Sequence, residues 1–144
     1  MTVAGHDTEI LARIRGLESL YGITATILVV CTTGVNSAKI DEIGRYADIV
    51  WSCASAGVRA KIGAAALVQI SKQIPVFVLT RGGMDFIAAY AVNAAFIAGL
   101  DERKRYLISN EPGELKIKLG TQNCYLREET LPVLSGRSFE MFDA

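Results

Sequence analysis

Two cysteines, Cys31 and Cys53, each close an apolar β-prone run, and each leads into small hydroxyl-bearing residues: Cys31-Thr32-Thr33-Gly34 and Cys53-Ala54-Ser55. A thiol at a strand end, beside the start of a helix, sits where the thiolate is favoured, and it can serve as a nucleophile or a soft-metal ligand. If the two strands are neighbours, both thiols face one sheet edge. Cysteine also behaves as a small buried apolar side chain, and that reading stays open for both. Cys124 stands apart in the last third of the chain. The single histidine, His6, forms a Cys-His couple only if the N-terminal loop folds over Cys31 or Cys53; just ahead of a helix it also reads as part of a cap, as Asp7 does.

A second chemistry is anion binding. Thr32, Thr33, Gly34 and Ser55, together with Arg81 and Gly82 of Thr80-Arg81-Gly82-Gly83, all fall where a strand gives way to a helix. Helix N-termini offer free N–H groups and a favourable dipole to phosphates and carboxylates, and an arginine adds a forked donor. Gly82 and Gly83 would let backbone approach a ligand closely. The same Ser, Thr and Gly residues are what turns and caps need in any case. GxGxxG and the Walker lysine motif are both missing, which disfavours a standard dinucleotide site or P-loop. The cysteines form no CxxC pair and have no histidine beside them, so a zinc knuckle is not expected, and nothing in the sequence names a cofactor. Arg59 is placed either to reach this rim or to pair with a carboxylate such as Asp48, and Trp51 reads as core.

The elements that must hold these residues follow from periodicity. Residues 1–5 form a short β-prone stretch. A helix then begins at His6-Asp7-Thr8 and buries Ile10, Leu11, Ile14, Leu17, Leu20 and Tyr21 before Gly22 ends it. Ala25 to Cys31 is the best strand, apolar enough to be covered on both faces. A helix with Ile40, Ile43 and Ala47 on one face comes next, then a strand over 48–53, a short helix to about Ala64, an ambiguous apolar stretch over 65–70, and a clear strand over 74–80. Arg81-Gly82-Gly83 opens a long apolar helix whose stretch Phe86 to Leu100 is too short for the roughly 20 residues of a membrane span. Its alanines suit close helix packing in a core or at an interface.

This alternation predicts an α/β fold, a Rossmann-like parallel sheet with flanking helices. Residues 1–100 form its core, and 101–144 form a small C-terminal β appendage with strands near 115–119 and 122–126. The whole of 1–144 is expected to be one domain, the default at this length. Fifteen basic and fifteen acidic residues balance, leaving no electrostatic footprint for nucleic acid or an anionic membrane. A hydrophobic fraction of 51% predicts apolar surface covered by a second subunit, hence a homo-oligomer. The unpaired cysteines and the polar start of the chain predict a cytoplasmic protein.

The blocks Cys31-Thr-Thr-Gly34, Ala47-Asp-Ile-Val50, Ser52-Cys-Ala-Ser55 with Val58-Arg59, and Ile74-Pro-Val-Phe-Val-Leu-Thr80 occur in an order that resembles the C-terminal part of the methanogenesis marker protein 8 family, over about residues 1–83. The chain departs from that family in having no counterpart of its N-terminal region and in carrying Cys31 where members often carry histidine. The resemblance implies an archaeal cytoplasmic setting and a part in cofactor or enzyme maturation.

Three functions fit these residues. The first is binding of an anionic small molecule, nucleotide or cofactor at the strand C-terminal edge through Thr32, Thr33, Gly34, Ser55, Arg81 and Gly82. The second is a cysteine-dependent enzyme or carrier that uses Cys53 or Cys31, and the third is a structural subunit of a larger complex.

Overall fold

The computed structural model describes residues 1–113 and 115–135. The first strand, β1 (Thr2–Ala4), leads to α1 (Glu9–Tyr21), β2 (Leu28–Val30), α2 (Ser37–Tyr46) and β3 (Ile49–Trp51). A π-helical turn (Val58–Ile62) and α3 (Gly63–Ala65) connect to β4 (Val68–Ile70) and β5 (Val76–Val78). Helices α4 (Arg81–Ala88) and α5 (Ala94–Ala98) precede β6 (Tyr106–Ser109), β7 (Leu115–Leu119) and β8 (Gln122–Glu128). Among the described residues no helix is long and apolar enough to cross a membrane.

Among the described residues, eight strands join one mixed sheet in the order β1-β2-β3-β5-β4-β6-β8-β7. The expected Rossmann-like parallel arrangement is not what forms. β1, β2 and β3 pair in parallel, and so do β4 and β6. β5 runs antiparallel to both β3 and β4, and β8 is antiparallel to β6 and β7. The reason is local. β4 resolves the ambiguous stretch as a strand, and only Ser71 to Pro75 separates it from β5, whereas a parallel return needs about a dozen residues or more. A hairpin is the one connection that short segment can make.

Pleating divides the core between two faces. Val50 and Phe77 point to the face covered by Leu11 and Ile14 of α1, Ile40 and Ile43 of α2, and Ile62 of the π turn. Their strand neighbours Ile49 and Val78 point to the other face, under Met84, Ala88, Ile97 and Leu100. The C-terminal strands add Ile108, Ile117 and Leu126 to that second layer, so residues expected as an appendage extend the same sheet.

Helix ends follow the side chains available. Asn36 accepts the Lys39 N–H at 2.9 Å and caps α2, and Thr80 accepts the Gly83 N–H at 3.0 Å and caps α4; each cap is worth about 1 kcal/mol. Thr8 is buried and forms no side-chain cap on α1. Helix α1 buries Leu11 and Ile14 against the sheet and α2 but leaves Ile10, Leu17, Leu20 and Tyr21 exposed. The long apolar helix is broken over Ala89–Asn93, where Val92 N–H donates to Lys118 O at 3.0 Å and Gly120 N–H to Tyr90 O at 2.7 Å. The edge strand β7 thus recruits that backbone.

Gly83 fixes how closely α4 approaches the sheet. A Cβ there would stand 2.7 Å from the Asp48 carbonyl oxygen and 3.0 Å from Val78 Cγ1, and backbone cannot retreat. Gly83→Ala is expected to lose about 1–3 kcal/mol despite alanine's better helix propensity. Gly16, with nothing within 4 Å of an added Cβ, should gain about 0.5–1 kcal/mol on the same change. Urea midpoints of the two variants, read at unchanged m, measure the contrast.

Candidate functional site

The C-terminal ends of β1, β2 and β3 lie flush, with Ala4 opposite Val30 and Val29 opposite Val50. Three loops leave them at one edge. Gly5 N–H donates to Val30 O at 2.7 Å, and a Cβ on Gly5 would meet the Cys31 oxygen and Thr32 Cα at 3.1 Å. Only a glycine lets the first loop lie against the second.

Cys31 and Cys53 both leave their strands at positive φ, 56° and 48°. This left-handed backbone costs an ordinary residue about 1–2 kcal/mol. Both thiols are free; Cys31 is exposed and Cys53 half-buried. The parallel pairing of β2 with β3 brings the two residues to neighbouring strand ends, as the sequence required for a shared edge.

The hydroxyls around them act as struts. Thr32 is buried, and its Oγ1 donates to Trp51 O at 2.8 Å, tying the end of β2 to β3. Thr33 Oγ1 accepts the Ala54 N–H at 3.1 Å, and Ser55 Oγ accepts the Val58 N–H at 3.2 Å. His6 Nε2 lies 2.9 Å from Thr33 O and must carry the proton, because a carbonyl only accepts. That nitrogen is therefore directed at Thr33. Lys39 Nζ donates to His6 O. Gly34 turns at φ 79°, and α1 and α2 both begin at this edge, with the field of their N-termini directed at it.

Arg59, expected either at the rim or on Asp48, is buried beneath the Cys53 turn. Its Nη2 donates to Cys53 O and its Nε to Ser52 Oγ at 3.4 Å. The guanidinium holds the strained carbonyl in place from inside. Trp51, expected as core, is partly buried against the second layer.

Arg81 and Gly82 do not join this constellation. They follow the C-terminal end of β5, and because β5 is reversed, that end lies at the opposite edge of the sheet. Arg81 is turned toward Leu100 O at 3.4 Å, Asp85 at 3.7 Å and Glu102 at 3.7 Å. Gly82 borders a hollow of about 430 Å³ lined by Arg15, Glu18, Arg45, Asp48 and Thr80. There Asp48 Oδ2 accepts Arg15 Nη2 at 2.8 Å and the Ile27 N–H at 2.7 Å, and Asp48 Oδ1 accepts the Thr80 hydroxyl. The Ala25 N–H at 2.6 Å, helped by Arg15, holds the Glu18 carboxyl below the usual range.

Cys124 lies on β8, away from the rim, and burial pushes its thiol up from the ordinary range. Sequence reasoning missed Ser71, which ends β4 on the same edge as Cys31 and Cys53 and also has positive φ, 71°. Its signal was the short link to Pro75. Among the described residues no group of three His, Cys, Asp or Glu side chains is placed to hold a metal ion.

A family described as "Uncharacterized protein conserved in archaea (DUF2099)" matches residues 1–91, which run from β1 through α4. No curated protein matches the chain, and neither does any solved structure.

Proposed function

Since the chain belongs to this archaeal family, we propose that it is an accessory protein that binds a small anionic molecule or cofactor at the C-terminal rim of β1, β2 and β3, with Cys31 and Cys53 as its thiol contacts. The observation that carries this reading is the pair of non-glycine residues held at positive φ on adjacent parallel strand ends. Strain of this kind persists where surrounding structure imposes it, and it gathers at sites that use it. Two helix N-termini favour a negative ligand at the rim, and the turn at Thr33 and Gly34 offers backbone N–H groups. Arg81 and Gly82, at the other edge, have no part in it.

A cysteine-dependent enzyme or carrier is the same site used covalently. The resemblance of the ordered blocks to methanogenesis marker protein 8 supports cofactor or enzyme maturation as the setting, and free thiols support a reducing cytoplasm. The exposed Leu17, Leu20, Tyr21 and Ile23 favour the reading as a subunit of an oligomer or a larger complex.

Native mass spectrometry of protein purified gently from an archaeal host tests the proposal. Wild type and Arg81→Ala should carry an added small-molecule mass that Cys31→Ser and Cys53→Ser lose or retain at under about a tenth, the loss of one charge-assisted contact. An unmodified chain mass in every sample, or a mass lost only in Arg81→Ala, sinks the rim as the site. A bare chain held in a stable protein complex puts the subunit reading in its place.

A further inference from the structure

At the far end of the same sheet edge, the C-terminal ends of β4 and β6 and the start of β8 enclose a cleft of about 390 Å³. That volume is in the lower range of small-molecule sites. Part-exposed Ile70 and Cys124 supply its apolar lining in front of the buried Ile108, and Ser71, Ser109 and Asn123 supply neutral polar groups. The walls are fixed from behind. Gln69, fully buried, donates through Nε2 to Ser71 O at 2.9 Å and to Val133 O, and its Oε1 accepts the Val133 N–H at 2.9 Å. Ser135 Oγ donates to Lys72 O at 3.3 Å. The segment 131–135 is thereby clamped along β4, and the cleft is shaped before any ligand enters, which lowers the ordering cost of binding.

Lys72 and Glu111 are the charged side chains of this lining, and Lys72 Nζ lies 2.8 and 2.9 Å from the two Glu111 oxygens. Lys72 holds the Glu111 carboxyl below the usual range. Arg127 stands 3.9 Å from Glu111 but is answered by Glu129 at 3.1 Å. An anion here meets Lys72 and is repelled by Glu111, and a cation meets the reverse. A compact ligand with both charges satisfies both groups. Opening the ion pair to admit it costs little, because partly exposed pairs add little net stability.

We propose that this cleft binds a free α-amino acid with a small apolar side chain, its carboxylate on Lys72, its ammonium on Glu111 and its side chain toward Ile70 and Cys124. Titration of isotope-labelled full-length protein with L-valine, followed by two-dimensional amide NMR, tests it. The amides of Ser71, Ser109, Glu111 and Asn123 should shift and saturate. Isovalerate and isobutylamine, which each lack one charge, should bind at least about tenfold more weakly, and Lys72→Met and Glu111→Gln should each weaken valine by a similar factor. Lys72→Arg keeps the charge and should retain binding, and spectra of all variants should otherwise overlay wild type. Isovalerate binding as tightly as valine would make this a plain anion site, and shifts gathered at Cys31 to Ser55 would place the ligand elsewhere. Either result overturns the proposal, as does a lack of saturable shifts with valine or alanine at about 10 mM, weaker than any useful site.

Discussion

Asp48→Ala is expected to destabilise the protein by about 3 kcal/mol, the lower end of the cost of breaking a buried ion pair from one side. The carboxylate is only 8% exposed and serves three elements at once. It accepts the N–H of Ile27 ahead of β2, the Arg15 guanidinium from α1 and the Thr80 hydroxyl that caps α4. Alanine leaves the Ile27 N–H buried without its partner, a cost of about 1–3 kcal/mol by itself. Arg15 retains Glu18 and the carbonyls of Ala25 and Tyr46 and is a quarter exposed, which keeps the loss from the upper end. Asp48→Asn retains an acceptor for Ile27 and removes the charge, so it should lose about half as much. Denaturant midpoints of the two variants separate hydrogen bond from charge. Equal losses would mean that the charge carries everything, contrary to the argument from Ile27.

Phe77→Ala should cost about 3–5 kcal/mol, the usual range for deleting a buried aromatic ring. Phe77 is wholly buried on the middle strand of the reversed hairpin. Its ring lies over Gly63, where an added Cβ would stand 2.9 Å from Cζ and 2.8 Å from Pro132 Cβ. Three segments distant in sequence therefore meet around Gly63. Gly63→Ala alone should also destabilise, by about 1–3 kcal/mol through overpacking. In a Phe77→Leu background the shorter side chain makes room for that methyl group, and the two changes should cost less together than the sum of their separate losses. Strict additivity in a thermodynamic cycle would show that ring and glycine do not share the contact.

Much of the first half of the chain was legible because its signals are local. Ile40, Ile43 and Ala47 marked α2, and the apolar runs ending near Cys31 and Cys53 marked β2 and β3 and placed both thiols at one edge. The direction of β5 was not legible while residues 65–70 stayed ambiguous. A strand over 68–70 turns Ser71 to Pro75 into a hairpin link, and that one assignment moves Arg81 and Gly82 to the far edge. The error was one of topology, not of residue type. The burial of Arg59 and the clamp formed by Gln69 depend on contacts between separated segments that no periodicity encodes. β6 was missed because Tyr106 to Ser109 is short and buried at every position, without the alternation that marks a strand with one wet face.

The order of strands in the sheet differs from their order along the chain at two places, and the first of them has a consequence for synthesis. β4 leaves the ribosome before β5, yet in the finished sheet β5 lies between β3 and β4. Until residues 76–78 emerge, β3 and β4 have no neighbour in common, and each presents an unpaired row of backbone donors and acceptors to the cell. The nascent chain therefore carries an open slot for the time taken to make a handful of residues, and its own next strand is the piece that fits.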